Sequence, residues 1–326
     1  MKRCLSHLYV RNFTSGKALK CQNVLSIRPC PINTFFSLLS PVVFLRFMAL
    51  FTSSLASGSN GNCYYIGNAT EAVLVDAGIA CREIERRMEQ LNLSMDIVKG
   101  IFISHEHADH IRGLKGLARK FGIPVYSTAA TLRKCGFYLN DPLARPFLLQ
   151  EGVSIGGLTI SSFPKFHDAV EPCSFVIRNE QVNIGVFTDI GTPCADVVRH
   201  FKQCHAVFLE TNYDEQMLDG GNYPYYLKNR IRSGNGHLSN AQALKLFCEH
   251  RPPHMSHLFL SHLSKNNNCP KLVQELFHPH AGSTKIILAS RFEQTAVYEV
   301  SGNGEAAPTT NHHYRPTVQQ LQFSFT

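Results

Sequence analysis

Residues 101–110 read IFISHEHADH, and four of them could share one chemistry. An apolar run ends at Ser104, and His105, His107, Asp109 and His110 follow at once. In extended backbone, residues two apart point to the same side, so His105 and His107 can face one cation together. Asp109 and His110 fall where the chain turns toward a helix and can face a second cation beside the first. Imidazole and carboxylate are the donors that zinc-like divalent ions accept, at about 2.0–2.2 Å. A strand end fixes such donors and a loop exposes them. The competing reading, polar residues crowding a surface turn, does not account for H-x-H-x-D-H directly behind a buried strand. The chain has 16 histidines, and these are the ones whose spacing points to a mechanism.

The elements that must position them are legible from periodicity. Short β-type runs occupy 62–66 (NCYYI) and 72–76 (AVLVD), joined by the turn GNATE. Ile84, Met88 and Leu91 recur at i, i+4 and i+7, which predicts an amphipathic helix over 81–92. Residues 100–104 form a buried strand, and 111–121 a helix closed by Gly122 with Pro124 beyond. Further strands are expected at 125–127, 158–163, 173–178, 183–189, 205–211, 258–261, 285–289 and 295–300. A helix is expected at 239–249, capped by Ser239 or Asn240. Strands alternate with helices, yet the early and late strands come in hairpin-like groups. That pattern predicts an α/β sandwich with two mixed sheets rather than a doubly wound parallel sheet.

Composition narrows the class. Hydrophobic residues are 44% and charged residues 17% of 326, which provides for a sizeable core and excludes wholesale disorder. Eleven cysteines without regular spacing argue against a disulfide scaffold and for a reducing compartment, hence the cytoplasm. The net charge of +8 is an end effect: residues 1–47 hold seven basic residues and no acid, and the remainder is near neutral. A basic global field therefore argues nothing about nucleic acid. Residues 1–47 read as a basic extension outside the folded unit, either a mis-assigned start ahead of Met48 or a targeting segment. The apolar stretch 35–51 is interrupted by Pro41 and Arg46 and is too short for a stable membrane span. The folded unit is expected over 48–300, with 301–326 as a flexible tail.

HEHADH resembles the signature of the metallo-β-lactamase-fold hydrolases, and the other landmarks of that family follow in order. The resemblance implies that Asp76 in AVLVD supports the ligands from behind. It implies that His167 in FPKFHDA binds the first metal, that Asp189 in VFTDIG bridges both, and that His262 in LFLSHLS binds the second. It also implies a four-layered αββα sandwich holding two divalent ions, zinc or manganese. His105, His107 and His167 would hold the first ion, and Asp109, His110 and His262 the second. Two ions sharing Asp189 would stabilise a bridging hydroxide, a nucleophile at neutral pH that Asp109 could also orient. A closer likeness is to the YycJ/WalJ (VicX) group. It is carried by SLASGSNGNCYYIG (54–67), HEHADHIRGLKGLARKFGIPVY (105–126), LETNYD (209–214), GNYPYYLKNRI (221–231), GHLSN (236–240) and LSHLSKNNN (260–268). That likeness implies a 5′→3′ DNA exonuclease with a part in mismatch repair.

A leaving oxygen needs a proton, and His237 in GHLSN is the candidate donor; the alternative is a loop histidine capping the next helix. Phosphodiesterases of this fold that process tRNA ends pair a similar histidine with a glutamate at a strand end. The resemblance implies Glu210 in that place, where it would fix the tautomer of His237. Three local features favour a nucleic-acid substrate. Tyr223, Tyr225 and Tyr226 lie beside Lys228, Arg230 and Arg232 with no acid between, a stacking-and-phosphate pattern or else an ordinary Tyr-rich helix start. The run 56–62, with Ser57, Ser59 and Asn60, could offer backbone N–H groups to a phosphate or simply form a hairpin turn. Lys265 to Asn268 could line the mouth. The alternatives are a hydrolase of a small phosphodiester or thioester, and a regulatory metal-binding protein with little turnover. Finally, Gln320, Leu321, Gln322, Phe323, Ser324 and Phe325 resemble the peptides that dock replication proteins onto the sliding clamp. Oligomeric state is not legible.

Overall fold

The apolar runs at 72–75, 206–210 and 257–261 are buried along their whole length because each sheet is covered on both faces. The computed structural model describes residues 49–302, so the expected extension 1–47 and the tail beyond 302 lie outside the described residues. Among the described residues, fourteen strands form two mixed sheets of seven. The first has the order β14(Tyr298–Val300), β1(Leu50–Ala56), β2(Cys63–Gly67), β3(Ala72–Val75), β4(Val98–Phe102), β5(Val125–Ser127), β6(Ala144–Pro146). The second has the order β13(Lys285–Leu288), β12(His257–Ser261), β11(Ala206–Glu210), β10(Asn183–Phe187), β9(Cys173–Arg178), β8(Leu158–Pro164), β7(Gly152–Ile155). In each sheet four consecutive strands run parallel, β3 to β6 and β10 to β13, and the others are antiparallel.

The helices are α1(Cys81–Gln90), α2(Ala108–Ile111), α3(Leu114–Phe121), α4(Ala129–Lys134), α5(Ala195–Phe201), α6(Glu215–Gly220), α7(Tyr225–Arg232), α8(Asn240–His250) and α9(Pro270–Phe277). Period-2 alternation divides the core into layers. Leu74 packs outward with Ile84, Met88, Leu114, Leu117 and Leu132 of the helices. Its neighbours Val73 and Val75 pack inward with Phe175, Ile184 and Phe208 of the other sheet. Val207 and Leu258 face Phe201, Phe247 and Phe277 on the far side. The result is helix, sheet, sheet, helix: the expected four-layered αββα sandwich with two mixed sheets.

Several expected bounds shift for identifiable reasons. The helix expected over 111–121 is broken at Arg112–Gly113, where the Gly113 N–H donates to Ala77 O. Asp109 and His110 therefore lie inside the short helix α2 rather than in a turn before it. The helix expected over 81–92 stops at Gln90, with Leu91 as its cap. The last strand contains only Tyr298–Val300, because Thr295 bonds to Ser53 and Ser54 through its side chain and N–H. Ser239 is the cap of α8, in a reciprocal box with Gln242. Helices α4, α5 and α6, of six or seven residues each, are too short for an apolar stripe to be read in advance, and α9 was not anticipated.

Gly78 shows how tightly the loops above the first sheet are laid together. A Cβ there would lie 1.7 Å from Asp109 O and 2.6 Å from Asn62 N. Gly78→Ala should therefore push the 105–110 loop out of place. The expected cost is about 1–3 kcal/mol, by analogy with overpacked cores, read as a lowered Tm; an unchanged Tm and unchanged metal binding would refute this close-packing argument.

Candidate metal centre

The centre lies beyond the carboxyl ends of the parallel strands of both sheets, where an α/β fold leaves its crevice. Asp76 follows β3, His105 follows β4, Asp189 follows β10, Glu210 ends β11 and His262 follows β12. His167 stands in the loop after β8, and His237 in the loop between α7 and α8. Asp76, Asp189 and His262 adopt φ of 61°, 56° and 57°. A non-glycine residue held there costs on the order of 1–3 kcal/mol, and such strain collects at functional sites. Backbone bonds hold the turns: Asp76 N donates to Phe102 O at 2.8 Å, and His262 N to Ser57 Oγ at 2.7 Å.

Six sequence-predicted residues converge as two triads. His107 Nδ1 lies 3.1 Å from His105 Nε2 and 3.3 Å from His167 Nε2. Asp109 Oδ2 lies 3.5 Å from both His110 Nε2 and His262 Nε2. Asp189 stands between the triads, with Oδ2 3.1 Å from His110 Nε2 and Oδ1 3.7 Å from His167 Nε2.

Four of the imidazoles, those of His105, His110, His167 and His262, are oriented from behind by their other nitrogen, which selects the nitrogen left facing the pocket. His110 Nδ1 is 2.8 Å from Asp76 Oδ2, and Asp76 also accepts from the N–H and hydroxyl of Ser104 at 2.9 Å each. Ser104 Oγ lies 2.9 Å from His105 Nδ1. His167 Nδ1 is 3.1 Å from Gly236 O. His262 Nδ1 is 2.8 Å from Glu210 Oε1. That same oxygen lies 2.8 Å from His237 Nδ1, while Glu210 Oε2 accepts from Ile190 N at 2.7 Å and Leu238 N at 3.1 Å. Glu210 thus serves His237, as expected, and also His262, which was not expected.

The electrostatics separate the two triads. Burial drives His105 well below the usual imidazole range and His167 down to about 4, so both are neutral. Burial acts the same way on His110 and His262, but carboxylates outweigh it. Asp189, Asp76 and Asp109 hold His110 well above its ordinary value, and Asp189, Asp109 and Glu210 raise His262 to about 10. Burial works against charge on Asp189 as well, yet His262 and His110 keep its carboxyl far below the usual range. Glu210 is lowered to about 2, burial being overcome by His237. The pocket thus draws protons onto two imidazoles to balance its carboxylates, a demand for positive charge that a divalent cation meets.

The donor set fits such an ion. Three imidazole nitrogens aimed at one another cannot all be hydrogen-bonded among themselves. Asp189 Oδ2 and His262 Nε2 are buried with no hydrogen-bond partner. Among the described residues, His105, His107 and His167 form one group able to hold a metal ion, and Asp109, His110 and His262 another. Asp189 appears in groups with His105 and His110, and with Glu210, His237 and His262.

The residues expected to bind substrate fare unevenly. Ser57 is buried, its N–H donates to Ser290 O and its hydroxyl meets Tyr64 and His262 N, so it supports a ligand and faces no substrate. The N–H groups of Gly58, Gly61 and Asn62 are likewise committed within the loop or to Asp109 O, and Ser59 and Asn60 stand exposed at its tip. Tyr225 and Tyr226 are exposed on α7, Tyr223 accepts from Asn266, and Lys228 donates to Asp219 O. Arg230 is paired with Asp168 at 2.6 Å and Arg232 with Asp219 at 2.5 Å. The acids that neutralise this patch lie outside the stretch that carries it. Sequence reasoning missed Asn62, whose Nδ2 lies 3.2 Å from His110 Nε2, and Lys165, whose buried ammonium donates to Thr188 O at 2.7 Å beside Asp189. Lys165 stands two residues before His167, the one signal that could have found it.

Imidazoles and carboxylates gathered at the strand ends of an αββα sandwich define a metal-dependent hydrolase. The chain belongs to the beta-lactamase superfamily, whose domain model matches residues 71–262. It is similar to exodeoxyribonuclease YycJ of Bacillus anthracis, with 35% identity over 230 residues that cover 70% of this chain and 87% of that protein. It is similar to exodeoxyribonuclease WalJ of Streptococcus pneumoniae, with 32% identity covering 69% of this chain and 84% of the relative. The metallo-beta-lactamase fold protein YhfI of Bacillus subtilis shares the fold at a TM-score of 0.59 and 17% identity, covering 77% of this chain and 99% of that one.

Ligation requires unprotonated imidazole, so a cation entering the Asp109–His110–His262 triad must expel a proton from His262, held at about 10. Metal affinity there should rise with pH throughout the range below about 10. Calorimetry in buffers of differing ionisation enthalpy should show proton release on binding; binding without proton release would contradict the assignment.

Proposed function

We propose that the chain is a dinuclear metal-dependent phosphodiesterase, a 5′→3′ DNA exonuclease that acts in DNA repair in the cytoplasm. The observation that carries the reading is the pair of triads with Asp189 between them. His105, His107 and His167 would hold one divalent ion, and Asp109, His110 and His262 the other, zinc or manganese, with Asp189 common to both. The names of the YycJ and WalJ relatives support DNA as the substrate.

Bound divalent ions would supply a water ionised at neutral pH and would neutralise charge on the phosphoryl oxygens. The chain's own groups do the rest. Asp76, Ser104, Gly236 and Glu210 hold the imidazole rings in place, so no reorganisation is needed at the moment of reaction. Asp109, partly exposed beside His110 and His262, is placed to orient the attacking water. Glu210 engages His237 at Nδ1, leaving Nε2 without a protein partner among the described residues and suited to give a proton to the leaving oxygen. Among the described residues no helix is long and apolar enough to cross a membrane. The clamp-docking peptide at 320–325 lies outside the described residues, and deletion of 319–326 with unchanged clamp binding would reject it.

End-labelled single- and double-stranded DNA, with and without Mn²⁺ or Zn²⁺, tests the whole reading. Metal-dependent release of a 5′ label ahead of a 3′ label is expected. Hydrolysis of small phosphodiesters or thioesters alone, or no turnover, would overturn it. His107→Ala should abolish activity. His237→Ala should slow turnover by about 10²–10⁴ while keeping the wild-type metal content; loss of metal would make His237 a ligand instead.

A further inference from the structure

The arginines that sequence reading assigns to phosphate are already spent. Arg230 and Arg232 each hold a carboxylate at 2.6 and 2.5 Å, and Lys228 is turned onto a carbonyl. A cation paired this closely must first give up its partner before it can neutralise a phosphate. Two other arginines beside the pocket have no such partner among the described residues.

Arg112 stands two residues past His110, exposed at the break between α2 and α3, and its Nη1 donates to Asn60 O at 3.0 Å. Arg291 comes from the opposite end of the chain, in the connection after β13. Its Nη1 donates to Asn60 Oδ1 at 2.8 Å and its Nη2 to the carbonyl of Leu263, the residue after His262. Its guanidinium lies over Gly58, where a Cβ would come within 3.1 Å of Cζ and φ is 148°. No carboxylate is paired with either guanidinium among the described residues; each meets only backbone carbonyl and amide oxygens. Most N–H donors of both forks stay available. The loop they grip is anchored to the Asp109 triad at both ends: Ser57 Oγ receives His262 N at 2.7 Å, and Asn62 Nδ2 lies 3.2 Å from His110 Nε2.

We propose that Arg112 and Arg291, joined through Asn60, form an anion-binding rim beside the Asp109–His110–His262 triad that takes a non-scissile phosphate of the nucleic-acid strand. This rests on the phosphodiesterase reading above and adds to it the side on which the strand lies. Two guanidiniums without a carboxylate partner among the described residues flank one edge of the pocket, whereas the charges of α7 are neutralised by Asp168 and Asp219. The planar fork of arginine suits a phosphate's paired oxygens. Each uncompensated charge that meets a phosphate also releases counterions and adds about 0.7 to the salt slope of single-strand binding.

The test is equilibrium binding of a nuclease-resistant phosphorothioate oligonucleotide to the full metal-loaded chain across a range of salt. Arg112→Gln should weaken binding about fivefold and flatten the plot of log affinity against log salt by about 0.7. Arg291→Lys should weaken binding while keeping the slope, since the charge stays and the fork is lost. Arg291→Gln should do both if its Tm shows it folded; if it does not fold, Arg112→Gln and Arg291→Lys decide. Arg230→Gln should change the slope less than Arg112→Gln. Wild-type affinity and slope in both Arg112→Gln and Arg291→Lys, or a larger effect from Arg230→Gln, would overturn the rim and leave the enzymatic reading standing. A wild-type chain that neither binds nor degrades DNA would overturn that reading and the rim with it.

Discussion

Burying Asp76, Asp189 and Glu210 in one pocket is the constraint from which the rest of the centre follows. A carboxylate removed from water must be paired or it abandons its charge. Here imidazoles compensate these acids, and they do so incompletely, leaving atoms of Asp189 and His262 without hydrogen bonds. The arrangement is poor as a salt-bridge network and sensible as a receptor for cations. The division of labour between triads follows from the same balance. His105 and His167 of the all-imidazole triad are neutral, and His110 and His262 of the triad containing Asp109 carry the protons.

The αββα architecture makes this constraint affordable. Each sheet turns the carboxyl ends of its parallel strands toward the same edge of the sandwich, and each contributes ligands at those ends. The two inner faces, locked by Phe102, Phe175, Phe208 and their neighbours, hold the ligand-bearing strands at a fixed separation. Three strand ends turn sharply through left-handed backbone at Asp76, Asp189 and His262. Aspartate and histidine are among the residues that enter that conformation most often, and His262 has both its N–H and its ring held by neighbours.

Legibility in the sequence followed how local each cause was. The H-x-H-x-D-H run is local: four residues on one strand end and the first turn of α2. The continuous apolar runs of β3, β11 and β12 were equally plain, because burial on both faces leaves them uninterrupted. His167, Asp189 and His262 are single residues far apart, and only their order against a known family marked them. The double duty of Glu210 was invisible, since it depends on two loops meeting over one strand end. Likewise Arg230 looked free because Asp168 is 62 residues away, Arg232 because Asp219 lies just before the basic stretch, and Ser57 looked like a loop hydroxyl because its partner, His262, is 205 residues away.

Glu210 Oε1 touches two rings at once, at 2.8 Å each. A single electron-rich atom therefore ties the ring that grips an ion to the ring suited to give up a proton. Neither ring can tilt or change its ionisation without altering the field felt by the other. Replacement of this one side chain would strike both halves of the chemistry together, so natural variation is free to tune them only in concert.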